Sequence, residues 1–195
     1  MVKQFCVCVL GVMLFGCQGD YLPKPKGYNR IDLPEHEYTN LPDTLPYQFE
    51  YSTIATLSPH ESWITERYWI DINYENMDAM VQITYKPILN KDSLMRGYYT
   101  DSYKLTSQHN VKAYAIDEMI LELPNGNFAS VSSLEGEVPT PFQFHVSDSN
   151  RHFIRGALYF ETATKNDSLA PVISYLKQDV IHLLETLQWD HGNKK

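Results

Sequence analysis

Between His145 and Arg155 the chain concentrates side chains able to do chemistry: His145, Asp148, Ser149, Arg151, His152 and Arg155. A serine, a histidine and an aspartate could supply nucleophile, base and orienting acid, but such a triad is defined by geometry rather than by order in the chain. Two histidines could begin a metal site, provided further ligands stand on the same side. The flanking residues decide against both. Phe142-Gln-Phe-His-Val146 and His152-Phe-Ile-Arg-Gly-Ala-Leu-Tyr-Phe160 alternate in the manner of two strands, joined through Ser147 to Arg151. Pairing Val146 with His152 sets Phe144 opposite Ile154 and Phe142 opposite Gly156. This register gathers Phe142, Phe144, Val146, Ile154, Leu158 and Phe160 on one face, and a slip of one residue would scatter them. Gln143, His145, Phe153, Arg155 and Tyr159 occupy the reverse face. His145 and His152 then point apart and cannot share an ion, while Ser147-Asp-Ser-Asn150 is a run that satisfies loop backbone locally. No phosphate loop, dinucleotide fingerprint or HExxH motif occurs, so no catalytic residue, metal or cofactor is assigned.

Arg155 keeps a possible role. In this register it lies across from Gln143 on the reverse face, where a guanidinium is either a stem-buried surface cation or a clamp for a partner or small anionic ligand.

The remaining sequence supplies elements to position that hairpin. Tyr47 to Ile54 alternates with Tyr47, Phe49 and Tyr51 on one face, and Trp69 to Tyr74 and Met80 to Tyr85 read as further strands. Asp92 to Gln108 has the apolar spacing of a helix through Leu94, Met95, Tyr98, Tyr99 and Tyr103, with Asp92 or Ser93 as its cap and Gly97 inside it. Ala113 to Glu122 and Phe128 to Leu134 flank a turn at Pro124-Asn-Gly126. The last element is a helix capped around Asn166-Asp-Ser168, with Pro171 in its first turn. Val172, Ile173, Leu176, Val180, Leu183, Leu184 and Leu187 form its stripe, and Lys177, Gln178, Asp179, His182 and Glu185 lie opposite. Strands followed by a helix with one apolar face predict an α+β fold: a mostly antiparallel sheet flanked by two helices.

Ahead of that domain stands a charged start, Met1-Val-Lys3, and an apolar run from Phe5 to Phe15, too short for a bilayer core that takes roughly 20 residues to cross. It ends at Leu14-Phe-Gly-Cys17, which looks like the lipobox of bacterial lipoproteins, making residues 1–16 a removed signal and Cys17 the acylated membrane attachment. Cys6 and Cys8 leave with the signal, so the exported domain has no disulfide and depends on its core for stability. Removing Lys3 takes the formal charge from −8 to −9, which excludes nucleic acid as a partner, since phosphate backbones demand a basic face. From Cys17 to Pro46 prolines punctuate an extended segment; Tyr28, Ile31 and Leu33 are more apolar than a spacer requires, so it either tethers the domain or docks on a surface. The domain proper is expected at 47–190, with a tail at 191–195.

Several long blocks resemble the gliding-motility lipoproteins called GldD, found in Bacteroidota. They are Tyr21-Leu-Pro-Lys-Pro-Lys-Gly-Tyr-Asn-Arg-Ile-Asp-Leu-Pro-Glu-His-Glu-Tyr38, Pro46-Tyr-Gln-Phe-Glu50, the two hairpin strands, and Asn166-Asp-Ser-Leu-Ala-Pro171. The resemblance implies a non-enzymatic envelope protein without a cofactor, needed for gliding and the associated type IX secretion apparatus. Its partners would be other envelope proteins of that machinery, several of them lipoproteins. It also favours a docking role over a bare tether for the segment holding Tyr28 and Arg30, so Tyr28, Arg30, Gln143 and Arg155 are the candidate partner-binding residues. The rival expectation is an envelope module that binds a small ligand through the Arg155 face.

Overall fold

The computed structural model describes residues 32–108, 112–160 and 166–190. The leader, Cys17, Tyr28, Arg30 and the 191–195 tail lie outside the described residues. A seven-stranded antiparallel sheet carries the molecule, and its middle is the expected hairpin. The hairpin strands are β9 (Phe142–Ser147) and β10 (His152–Phe160). From one rim to the other the order is β4 (Thr56–Pro59), β5 (Ile70–Tyr74), β6 (Ala79–Pro87), β10, β9, β8 (Phe128–Gly136) and β7 (Ala113–Glu122). Helix α1 (Asp92–Ser107) lies on one face and α2 (Asn166–Glu185) on the other. This is the α+β architecture expected from the sequence.

The two faces divide as the hairpin alternation predicts. Phe142, Phe144, Val146, Ile154, Leu158 and Phe160 are all buried in one cluster with Val81, Ile83, Ile72 and the α2 stripe Val172, Leu176, Val180, Leu183 and Leu184. The register itself differs from expectation by two residues. Val146 pairs with Ile154 rather than His152, so Phe144 faces Gly156, and Phe142 faces Leu158. A shift of two preserves every face, which is why polarity could not detect it. The turn decides it: the Asp148 carboxylate accepts hydrogen bonds from the backbone N–H groups of Asn150, Arg151 and His152 at 2.8–3.0 Å, and Ser149 adopts φ 65°. Those bonds hold the loop at residues 148–152 in place of the expected 147–151, so that Ser147 pairs with Phe153.

Other expectations change at their edges. Tyr47 to Ile54 is not one strand. It breaks at Phe49 into β2 (Tyr47–Gln48) and β3 (Glu50–Ser52), which pair with different partners, β11 (Gln188–Trp189) and β1 (Tyr38–Asn40). Trp189 pairs with Tyr47 in a short ladder beyond the end of α2. Lys91, not Asp92, occupies the position before α1, and that helix buries Ser102 and Thr106 while Tyr103 and Leu105 stay exposed. Pro171 falls inside α2, beyond its first turn. Most consequential is the N-terminal boundary. β1 adds to β3, Leu41 is buried in the core, and Leu33 packs against it. The body thus begins well before residue 47, because an extended stretch with apolar side chains gains more by covering α2 than by staying in water.

Candidate functional site

The reverse hairpin face is not an open surface. Helix α1 crosses it: Tyr99 packs edge-on against His145 and Phe153 with ring centroids 5.1 and 5.4 Å apart, and Tyr98 also meets Phe153. Gln143, expected to face a partner, is 2% exposed. Its side-chain oxygen accepts from Thr106 Oγ1 at 3.1 Å and from an Arg155 guanidinium nitrogen at 2.7 Å, while its amide donates to Thr140 Oγ1 at 2.9 Å. Arg155 pairs with His145 in the ladder and reaches Gln143 diagonally. Burial lowers its pKa, although an arginine stays charged throughout. What the arrangement does chemically is fix α1 to the sheet through one satisfied polar network. Gln143 works inside the fold, holding the cation that remains half-buried beside it.

His145 and His152 point to opposite faces as expected. His152 hydrogen-bonds with the Tyr85 hydroxyl at 2.9 Å and stacks on Trp189 on the α2 side. His145, under α1, has its pKa pushed down to about 4, by burial first and by the Arg155 charge second. The native state therefore resists protonation that the unfolded chain accepts near 6.5. Its contribution is complete above about pH 6.5 and is lost as pH falls toward 4. Melting temperatures measured across that window should drop more steeply for the natural chain than for His145→Phe; parallel curves would rule out the burial assigned to this ring. The Asp148 pKa is lowered as well, for a different reason: burial alone would raise it, but the three turn N–H bonds outweigh burial and hold the carboxyl low. Ser147-Asp-Ser-Asn150 is thus a turn, with its aspartate committed to backbone. Among the described residues no three His, Cys, Asp or Glu side chains stand close enough to hold a metal ion.

The sequence reading missed the densest polar site, which lies where the N-terminal strap meets α2. Asp179, expected on the solvent side, is 3% exposed. His36 Nδ1 stands 2.6 Å from one carboxylate oxygen and the Tyr38 hydroxyl donates to the same atom at 3.1 Å. The Tyr74 hydroxyl donates to the other oxygen at 3.0 Å. Strap, sheet and helix thus converge on a single carboxylate. Around it, His36 stacks on Tyr175 at 4.1 Å and Tyr38 on His182 at 3.6 Å. His182 in turn meets Glu50 at 2.7 Å, and the Glu50 backbone N–H donates to Thr186 Oγ1. Burial and the neighbouring carboxylate push the Tyr38 pKa up to about 12, and the same causes raise that of Tyr74. A usable signal was present: Tyr175, Asp179, His182 and Thr186 recur at i, i+4, i+7 and i+11, a second stripe beside the apolar one.

Fold and site together define an α+β domain whose N-terminal approach is clamped to a helix. The chain belongs to the family of the gliding motility lipoprotein GldD, whose model matches residues 18–189. Lipoprotein membership places it at a membrane of the cell envelope, in a family tied to gliding motility. No curated protein matches. Among solved structures, the solution structure of cyanobacterial PsbP (CyanoP) from Synechocystis is similar over 83% of this chain and 97% of that one. Its identity is 8% and its TM-score 0.46, too loose a likeness to carry a role across. No helix among the described residues is long and apolar enough to cross a membrane.

Proposed function

We propose that the protein is a non-enzymatic assembly or stability factor for the gliding machinery and its associated type IX secretion apparatus. It faces the periplasm of a Bacteroidota cell and is anchored through acylated Cys17. The observation that carries this reading is the family match from residue 18 to 189. The strap geometry supports it. Because the chain is fixed to the body by Leu33 and His36, only the stretch from Cys17 to about residue 32 separates membrane from domain. At about 3.1 Å per residue that is a few tens of ångströms at most, close enough for the body to work beside other lipid-anchored proteins. Tyr28 and Arg30 lie within that stretch and supply its recognition side chains; Arg155, held by Gln143, supplies a cation from the body. The reading of the Arg155 face as a small-ligand site carries less weight, since α1 and Gln143 already occupy much of that face.

The test replaces residues 21–31 with a Gly/Ser sequence of equal length, leaving Cys17 and the Leu33 and His36 contacts in place. Anchoring and protein level should be normal while gliding and secretion are lost, because a binding segment depends on particular side chains and a spacer does not. Full motility at normal protein level would return the segment to a passive tether. A saturable thermal shift with a small envelope metabolite would favour the ligand-binding reading instead.

A further inference from the structure

The two rims of the sheet are built differently. β4 is a four-residue strand ending in Pro59, the short, proline-closed edge that soluble proteins use to stop unwanted pairing. β7 at the other rim runs for ten residues without a proline or a lysine and, among the described residues, pairs only with β8. Asp117, Glu118, Met119 and Ile120 are exposed in succession, so both of its faces meet water. Large apolar side chains collect there: Tyr114, Met119 and Ile120 on β7 and Phe128 on β8 are each more than half exposed. In the observed register Ile120 and Phe128 share one face with Glu118 and Glu122.

A long free edge with apolar side chains on both faces is a template for strand addition. We propose that β7 docks an extended segment of a partner protein as an eighth strand. That segment carries Lys or Arg, an apolar residue, and Lys or Arg at successive same-face positions, opposite Glu118, Ile120 and Glu122. Charge selects this occupant. A second copy of the chain is opposed: in every two-fold antiparallel register centred between residues 117 and 120, carboxylates of Asp117, Glu118 or Glu122 fall directly opposite or diagonal to one another. The chain's own Leu22-Pro-Lys-Pro-Lys26 is basic, but its two prolines have no N–H to give to a ladder. On the α2 side the charge of Lys177 acts on Asp117 and Glu135; on the α1 side no described cation forms an ion pair with Glu118 or Glu122. Among the described residues, the carboxylates of this rim that lack a cation partner are those that alternate with Ile120. The inference rests on the reading of the protein as a partner-binding factor and names the chemistry of one partner.

The test has two arms, neither of which depends on gliding. In the first, full-length protein in detergent is titrated with a labelled nine-residue peptide of alternating valine and threonine bearing lysine at its third and seventh positions, and with the same peptide bearing glutamate there. The lysine peptide should bind at least tenfold more tightly, weaken with added salt, and protect β7 amides from hydrogen exchange. The double substitution Glu118→Lys with Glu122→Lys, at exposed positions, should invert the preference. In the second, a photo-cross-linking residue at position 120 in living cells should join a protein whose cross-linked segment carries two basic residues four apart, and the same residue at position 61 should not. Equal affinity for the two peptides, absence of β7 protection, or adducts that map to a second copy of this chain would each overturn the proposal.

Discussion

Asp179→Ala is expected to release the N-terminal strap and to cost on the order of 2–4 kcal/mol of folding stability, since removing a shared acceptor leaves buried donors unsatisfied at about 1–3 kcal/mol each. The substitution removes the common acceptor of Tyr38 and Tyr74 and the partner of His36. The Tyr74 hydroxyl is buried, and an unsatisfied buried donor is itself costly. Asp179→Asn keeps the volume and one acceptor oxygen, so it should lose less. Denaturant melts give the magnitude, and amide exchange at Tyr38–Asn40, which pairs with Glu50–Ser52, gives the location. A loss below about 1 kcal/mol, or unchanged protection of that ladder, would show that the strap is held by apolar contacts alone. A detached strap also lengthens the tether, so secretion and gliding should fall further than stability does.

Gly156→Ala should be expensive for a reason visible at one pair of residues. A Cβ built on Gly156 would stand 2.2 Å from two atoms of the Phe144 ring, which itself is buried and cannot swing away. Overpacking of this kind costs about 1–3 kcal/mol, and a valine there should cost more. Phe144→Ala, which leaves a cavity in the centre of the core, should cost about 3–5 kcal/mol. The double variant should be destabilised by clearly less than the sum, since each change relieves the other, whereas Gly156→Ala combined with Phe142→Ala should be nearly additive. That pattern also tests the register, because pairing Phe142 with Gly156 would place the coupling on the other phenylalanine.

What could be read from the sequence follows from periodicity. Alternation over Phe142 to Val146 and His152 to Phe160 assigned both hairpin faces, and the α2 stripe from Val172 to Leu187 named the helix surface that meets them, because a face must be apolar throughout to be buried. The Asp92–Ser107 helix, the opposed histidines and the Ser147-Asp-Ser-Asn150 turn were legible for the same local reasons. The family blocks added the tie to gliding motility, which no physical pattern in the chain expresses.

Only the tertiary structure decided the rest. The two-residue register shift is invisible to polarity and was set by Asp148 closing the turn. Gln143 and Asp179 are polar residues at positions that local spacing assigns to solvent. They are buried because an element distant in sequence covers them, α1 for the first and the strap with β5 for the second. A carboxylate is stable in an interior only when donors converge on it, and here they come from residues 36, 38 and 74, separated from Asp179 by 143, 141 and 105 positions. No window of sequence spans such a distance. The sequence therefore determined which surfaces are apolar, and the fold determined which polar groups those surfaces bring together.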